Sequence, residues 1–218
     1  MPFIGAALVR TDQLIDLLSN HQLSCWRLRT TLAAGAAVGI LAAGALFFTE
    51  IGFRPDIADA VQSIRFLFKF VVTISLAATA INATFGFARP DSLRFGGDFL
   101  LVAPVLLACA VAVELAAVPT GQWMANLVGH NARFCLTLIP LLAIGPLICL
   151  LAALRRGAPS NPGQAGAMAG LAAGGIAATF YAANCNDDSP LFVATWYPIA
   201  ILAVTLAGYF IGRRLLRW

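Results

Sequence analysis

Charge is scarce in this chain. Only 11% of the 218 residues are charged and 60% are hydrophobic, with a mean hydropathy of +0.85. That composition excludes an ordinary soluble domain, whose water-facing surface needs far more charge. No Cys-x-x-C occurs among the five cysteines, so thioredoxin-like redox chemistry and haem attachment have no support. The segments between apolar runs hold only about 8 to 16 residues, too few for a folded domain. Polar groups near the middle of the apolar runs, which a small transporter would need, are missing as well.

What is present is six long apolar runs, at about residues 30–49, 66–87, 99–118, 134–154, 165–183 and 192–211. Each has roughly the 20 residues that a helix needs to cross a bilayer. Lipid offers no partner for a backbone amide, so each run must be helical. The expected fold is an all-α membrane protein with six transmembrane helices. Residues 1–29 form an amino-terminal segment and 30–218 the bundle. The first run is read as a retained helix, because Leu46-Phe47-Phe48-Thr49-Glu50 is a poor match to a small-residue cleavage site.

The basic residues orient the bundle. Arg10, Arg27, Arg29, Arg89, Arg94, Arg155, Arg156, Arg213, Arg214 and Arg217 fall on one side of the six runs. Arg54, Arg65, Arg133 and Lys69 fall on the other. Cations concentrate on the cytoplasmic side of membrane proteins, so both termini are expected in the cytoplasm. Anchoring of helix ends accounts for the net charge of +4, and no direct contact with nucleic acid is implied.

Most signals inside the runs concern packing. Gly166, Gly170 and Gly174 in run five, and Gly35 and Gly39 in run one, make small-residue faces that let helices approach closely within one chain. Pro104, Pro140, Pro146 and Pro198 are expected to kink their helices. The two intramembrane charges, Lys69 and Glu114, lie at matching depth near the outer face. A structural pair between them, or a snorkelling Lys69, is expected rather than an ion path.

Two features point beyond packing. Cys135 and Cys185 share the outer side, which is oxidising if it is a bacterial periplasm. His130, Asn184, Asn186, Asp187 and Asp188 stand around them in sequence. A metal set drawn from Cys135, Cys185, His130, Asp187 and Asp188 is conceivable on ligand type. The residues alone leave open a structural disulfide and a reversible thiol or metal switch. Cys109 and Cys149 read as apolar fillers. At the other end, residues 11–20 read as a short helix capped by Thr11, with Asp12 at its positive end and the run Ser19-Asn20-His21 closing it. Leu14, Ile15 and Leu18 form an apolar face, with Leu17 beside it. So short a helix must dock on something, and its few cations favour a protein partner over a lipid surface.

The chain resembles the NrsF-type membrane anti-sigma factors, negative regulators of a SigF-like ECF sigma factor. The resemblance is carried by Thr-Asp-x-Leu-Ile-x-x-Leu at 11–18, Asn131-Ala132-Arg133-Phe134-Cys135-Leu136, and Leu154-Arg155-Arg156-Gly157-Ala158-Pro159. The stretch 181–197 is more specific, with Cys185, Asp188-Ser189-Pro190-Leu191-Phe192-Val193 and Trp196-Tyr197, and Gly212-Arg213-Arg214-Leu215-Leu216-Arg217-Trp218 fits too. Two departures stand out: residues 1–8 precede the usual start, and residues 21–26 lack an expected proline.

The resemblance implies a protein of the bacterial inner membrane, without catalytic activity or cofactor. It implies that the amino-terminal segment, through Asp12, Leu14, Ile15, Asp16, Leu17 and Leu18, sequesters an ECF sigma factor until a stress signal releases it. It further makes Cys135 and Cys185 the signal-sensing pair at the periplasmic face. The runner-up readings are a membrane thiol–disulfide oxidoreductase, for which a second reactive pair is missing from the sequence, and a small transporter.

Overall fold

In a computed structural model the protein is described over residues 11–89 and 97–217, with the side chains of 11–26 outside that description. Helices make up every regular element among the described residues. Helix α1 runs over Thr11–Leu46 and closes in a π-helical turn at Phe47–Ile51. The short α2 (Ile57–Ala60) and the long α3 (Ile64–Phe87) follow. A 3-10 turn at Gly97–Leu101 leads into α4 (Val102–Ala117), and α5 (Thr120–Val128) comes next. The chain ends with α6 (Ala132–Leu154), α7 (Pro162–Ala182) and α8 (Pro190–Leu215).

Six helical stretches are long and apolar enough to cross a membrane: Arg27–Ile51, Ile64–Phe87, Asp98–Ala117, Thr120–Leu154, Pro162–Ala182 and Pro190–Leu215. They overlap the six runs expected from sequence, the fourth starting earlier because it takes in α5. Burial ranks them: the most apolar window of the fifth is 72% buried inside the protein, that of the third only 11%. Helix α7 is therefore the axis of the bundle, packed on α8, α3 and α6, with α1 against α6. Helix α4 stands at the edge and packs chiefly on α3 and α8 among the long helices. Between α3, α4 and α8 it leaves an apolar cleft of about 580 Å³.

The glycine faces explain why α7 is central. A Cβ on Gly166 would collide with the Gly208 carbonyl oxygen and lie 2.8 Å from Gly212 Cα. One on Gly170 would lie 2.7 Å from the Val204 carbonyl oxygen, and one on Gly174 would lie 3.0 Å from Ile201 Cγ2. On the other side, a Cβ on Gly175 would lie 2.9 Å from Ala77 of α3. Backbones so close gain dispersion contacts that bulkier residues would forbid. Gly35 and Gly39 do the same for α1, resting on Cys149, Ala153 and Pro146 of α6. These faces are used within one chain, as the sequence led us to expect. Helix α6 continues through Pro140 and Pro146 and α8 through Pro198, while Pro104 sits in the first turn of α4.

Two elements differ from expectation. Residues 11–20 are not a separate helix ended at Ser19-Asn20-His21, because α1 is one helix of 36 residues with no break at the boundary placed near residue 30. The span has already met the cost of nucleation, so helical propagation back through polar residues requires no fresh nucleus. The second is α5, which occupies what reads as a loop between runs three and four. Pro119 precedes it, Trp123 Nε1 donates to the Val118 carbonyl at 2.9 Å, and Trp196 Nε1 of α8 donates to the Leu127 carbonyl at 2.9 Å.

Candidate thiol site at one end of the bundle

The connections 52–63, 118–131 and 183–189 meet at the same end of the bundle, as alternation of six helices requires. The last of them is the centre of a polar cluster. Lys69, on α3 and only 1% exposed, donates from Nζ to the Cys185 carbonyl at 2.9 Å and the Asp187 carbonyl at 3.3 Å. The same ammonium lies 2.5 Å from Asp188 Oδ1. Arg54, 7% exposed, reaches Asp188 Oδ2 at 2.9 Å and the Cys185 carbonyl at 3.3 Å from one guanidinium nitrogen. Its other nitrogens hold Asp56 at 2.6 and 2.7 Å. Hydrogen bonds from Arg54 lower the exposed Asp56 carboxyl to about pH 2, and in return raise the Arg54 pKa against the desolvation that opposes it.

The expected pair between Lys69 and Glu114 does not form. The loop between α7 and α8 lies over Lys69 and supplies Asp188 from a position that sequence spacing does not reveal. Glu114, 3% exposed at the end of α4, instead receives Ser189 Oγ at 2.9 Å and the Leu191 amide at 3.0 Å. It also receives Asn126 Nδ2 of α5 at 3.4 Å. A carboxylate there satisfies the free Leu191 amide of α8 and complements the positive end of its dipole. Asp187 does similar work for α6, accepting the His130 amide at 2.9 Å and the Asn131 amide at 2.8 Å on Oδ2. Gly129 makes this approach possible. Its φ is +56°, and a Cβ there would lie 2.8 Å from that same Oδ2 and 2.5 Å from the Phe192 ring.

Beneath this polar lid lie the two cysteines. Cys135, in the first turn of α6, is 0% exposed, and Cys185 is 1% exposed. Both are free thiols and they lie within electrostatic reach of each other. Cys185 Sγ is 3.7 Å from the Asp187 carbonyl oxygen. Burial pushes the Cys185 thiol above its ordinary pKa, and the nearby Lys69 charge acts in the opposite direction. Tyr181 of α7 and Tyr197 of α8 share the pocket, their ring centroids 5.9 Å apart. The Tyr181 hydroxyl donates to the Asn131 carbonyl at 3.4 Å, and both tyrosine hydroxyls lie beside the Cys185 thiol. Cys135 is thus buried in the first turn of α6 and Cys185 in the connection between α7 and α8.

The structure places Cys135 and Cys185 at the same end of the bundle, both buried and within electrostatic reach of each other. It does not assemble the conceivable metal set: among the described residues no three His, Cys, Asp or Glu side chains converge as metal ligands. The physical reason is prior engagement. Asp188 is held by Lys69 and Arg54, Asp187 accepts two amides, and His130 is 96% exposed, with Nδ1 3.6 Å from Asp187 Oδ1. Cys109 is exposed on α4 and Cys149 half-buried on α6. Asp12, Leu14, Ile15, Asp16, Leu17 and Leu18 lie on the α1 backbone, with their side chains outside the described residues. Sequence reading missed Arg54, Tyr181 and Tyr197; an arginine close to a predicted span was the one available hint.

A family profile described as NrsF, negative regulator of sigma F, matches residues 20–218. The chain belongs to the NrsF family. It is 35% identical over 217 residues to the anti-sigma-F factor NrsF of Caulobacter vibrioides, covering 96% of this chain and 100% of that protein. It is 30% identical over 213 residues to the probable anti-sigma-F factor NrsF of Azospira oryzae, again covering 96% of this chain and 100% of the relative. No solved structure matches the chain. The family match takes in both cysteines and all the residues of the polar cluster, and begins beyond the segment 11–18.

Proposed function

We propose that this NrsF-family chain is an anti-sigma factor of the bacterial inner membrane that holds an ECF sigma factor and releases it on a stress signal. The observation that carries the reading is full-length similarity to two relatives named as anti-sigma-F factors, joined to six apolar helices. The role is regulatory rather than catalytic. The helices lie in the lipid bilayer with both termini cytoplasmic, which puts the thiol end in the periplasm, in keeping with the distribution of Arg and Lys.

The amino-terminal part of α1 is the holding element. Arg27 begins the apolar stretch, so the 16 residues from Thr11 to Trp26 extend the helix roughly 24 Å towards the cytoplasm at 1.5 Å per residue. Leu14, Ile15, Leu17 and Leu18, flanked by Asp12 and Asp16, offer a groove-binding face on that extension. Signal enters at Cys135 and Cys185. Oxidation or another change at sulfur favours one packing of α6, α7 and α8 over another, and the bundle transmits it to α1 through the α1–α6 contact.

Purification of the detergent-solubilised full-length chain from its host tests the reading. An ECF sigma subunit should co-purify in stoichiometric amount and dissociate after thiol oxidation. A preparation that retains its fold and captures no sigma subunit would sink the proposal.

A further inference from the structure

Both thiols are sealed, at 0% and 1% exposure, so no reagent reaches them in the conformation described above. Something must move first, and only certain elements are placed to let sulfur out. Helices α7 and α8 pack backbone against backbone through glycines, and α6 packs on both. The connection 184–189 is different. It is a short non-helical segment, and one of its own residues, Cys185, is a target.

We infer that residues 184–189 form a gate over the Cys135 and Cys185 thiols, latched by Asp188 on Lys69 and Arg54. The inference rests on the sensing role proposed for the two cysteines and specifies how that site is regulated. Four observations converge. Asp188 bridges two cations, at 2.5 Å to Lys69 and 2.9 Å to Arg54. The same two cations both donate to the Cys185 carbonyl, so the cations that hold the latch also hold the backbone of a target residue. The gate is pinned on its near side by Arg54 N donating to the Ala183 carbonyl at 3.2 Å and by Asn184 Nδ2 donating to the Gly52 carbonyl at 3.1 Å. On its far side Asp187 fastens it to His130 and Asn131, and Ser189 to Glu114.

These fastenings are polar and lie at the end of the bundle, whereas everything below them is apolar and close-packed. Opening the gate therefore breaks ion pairs and hydrogen bonds near water, which water partly replaces. Opening the bundle instead would expose apolar surface and part glycine-packed helices. The gate is the lower-cost route, and Lys69 makes it selective. The ammonium is the chain's only lysine and is sealed beneath the loop, so the loop cannot lift without uncovering a charge. Lys69 and Asp188 are thus positioning residues. They set how readily the thiols are exposed and do not react themselves.

The test measures thiol access directly and needs no sigma factor. In full-length protein carrying Ser at positions 25, 109 and 149, only Cys135 and Cys185 can react with N-ethylmaleimide. The sulfur adds to one alkene carbon and the thiol proton ends on the other. Asp188→Asn keeps the shape of the side chain and removes the charge that faces both cations. It should speed modification by about tenfold or more, as expected when a buried ion pair loses one partner. Asp56→Asn removes only the exposed arm of the Arg54 pairing and should change the rate by less than about twofold. An Asp188→Asn protein that is folded and labels at the unaltered rate overturns the gate. Should Asp188→Asn fail to fold, Arg54→Gln carries the test, since it keeps the pair between Lys69 and Asp188. Labelling at least about threefold faster is then expected, and an unchanged rate overturns the proposal. A working gate in a protein whose repression ignores both cysteines would leave this inference standing and remove only their sensing role.

Discussion

Lys69 Nζ and Asp188 Oδ1 lie 2.5 Å apart, joining α3 to the connection between α7 and α8 directly above two sealed thiols. The pair joins the beginning of α3 to a connection 119 residues further along the chain. It forms part of a polar lid at this end of the bundle, beneath which the Cys135 and Cys185 thiols are sealed.

Orientation is the first expectation to check. Reporter fusions at Trp218 and in the loop near Ser160 should report cytoplasm, and a fusion near Asp187 should report periplasm. A cytoplasmic signal at Asp187 would invert the bundle and deprive Cys135 and Cys185 of an oxidising compartment.

The sigma-holding role proposed for residues 11–18 is tested by charge. Leu14→Asp together with Leu18→Asp should free the sigma factor and turn on its genes without stress, since one anchoring leucine in a groove is worth about 2 kcal/mol or more at a hot spot. The assay is sigma-dependent transcription, with the variant's abundance in the membrane measured alongside. Full repression by an abundant double variant would move the contact to the loops 89–98 or 155–163.

For the cysteines, Cys135→Ser or Cys185→Ser should each lock the response to oxidant or thiophilic metal, with the protein still in the membrane. Cys109→Ser and Cys149→Ser should respond nearly as the parent does, because one side chain is exposed on the edge helix and the other lies away from the polar cluster. Transcription measured in the four single variants decides it. A normal response in both Cys135→Ser and Cys185→Ser would return these residues to a purely structural role.

The α7–α8 contact should be intolerant of side chains. At Gly170 a Cβ would lie 2.7 Å from the Val204 carbonyl oxygen and 2.8 Å from Thr205 Cα, atoms that cannot give way as a flexible side chain would. Gly170→Val should therefore cost at least about 1–3 kcal/mol, the range for overpacking a tight core. It should lower the thermal unfolding midpoint in detergent by several degrees. Gly121→Val, where a Cβ meets nothing within 4 Å, should cost far less. Equal losses at the two sites would show that the α7–α8 approach is not as close as described.

The six helices were legible in the chain because apolar length is a local property: about twenty residues without charge can satisfy their backbone in lipid only as a helix. The glycine faces were legible for the same reason, since a four-residue spacing marks one side of a helix whatever it meets. Cys135 and Cys185 could be placed at one end together by counting crossings. The partners of Lys69 and Glu114 could not be read this way. Matching depth made them candidates for each other, but depth is one coordinate, and the choice between Glu114 and Asp188 depends on which helices are neighbours around the axis. Packing settled that. Glycines on α7 drew α8 and α3 inward, so the loop carrying Asp188 came to lie over Lys69, and Glu114 on the edge helix was left facing the free Leu191 amide of α8. Hydrophobic length is encoded residue by residue along the chain, whereas pairing among buried polar groups depends on contacts between segments far apart in sequence.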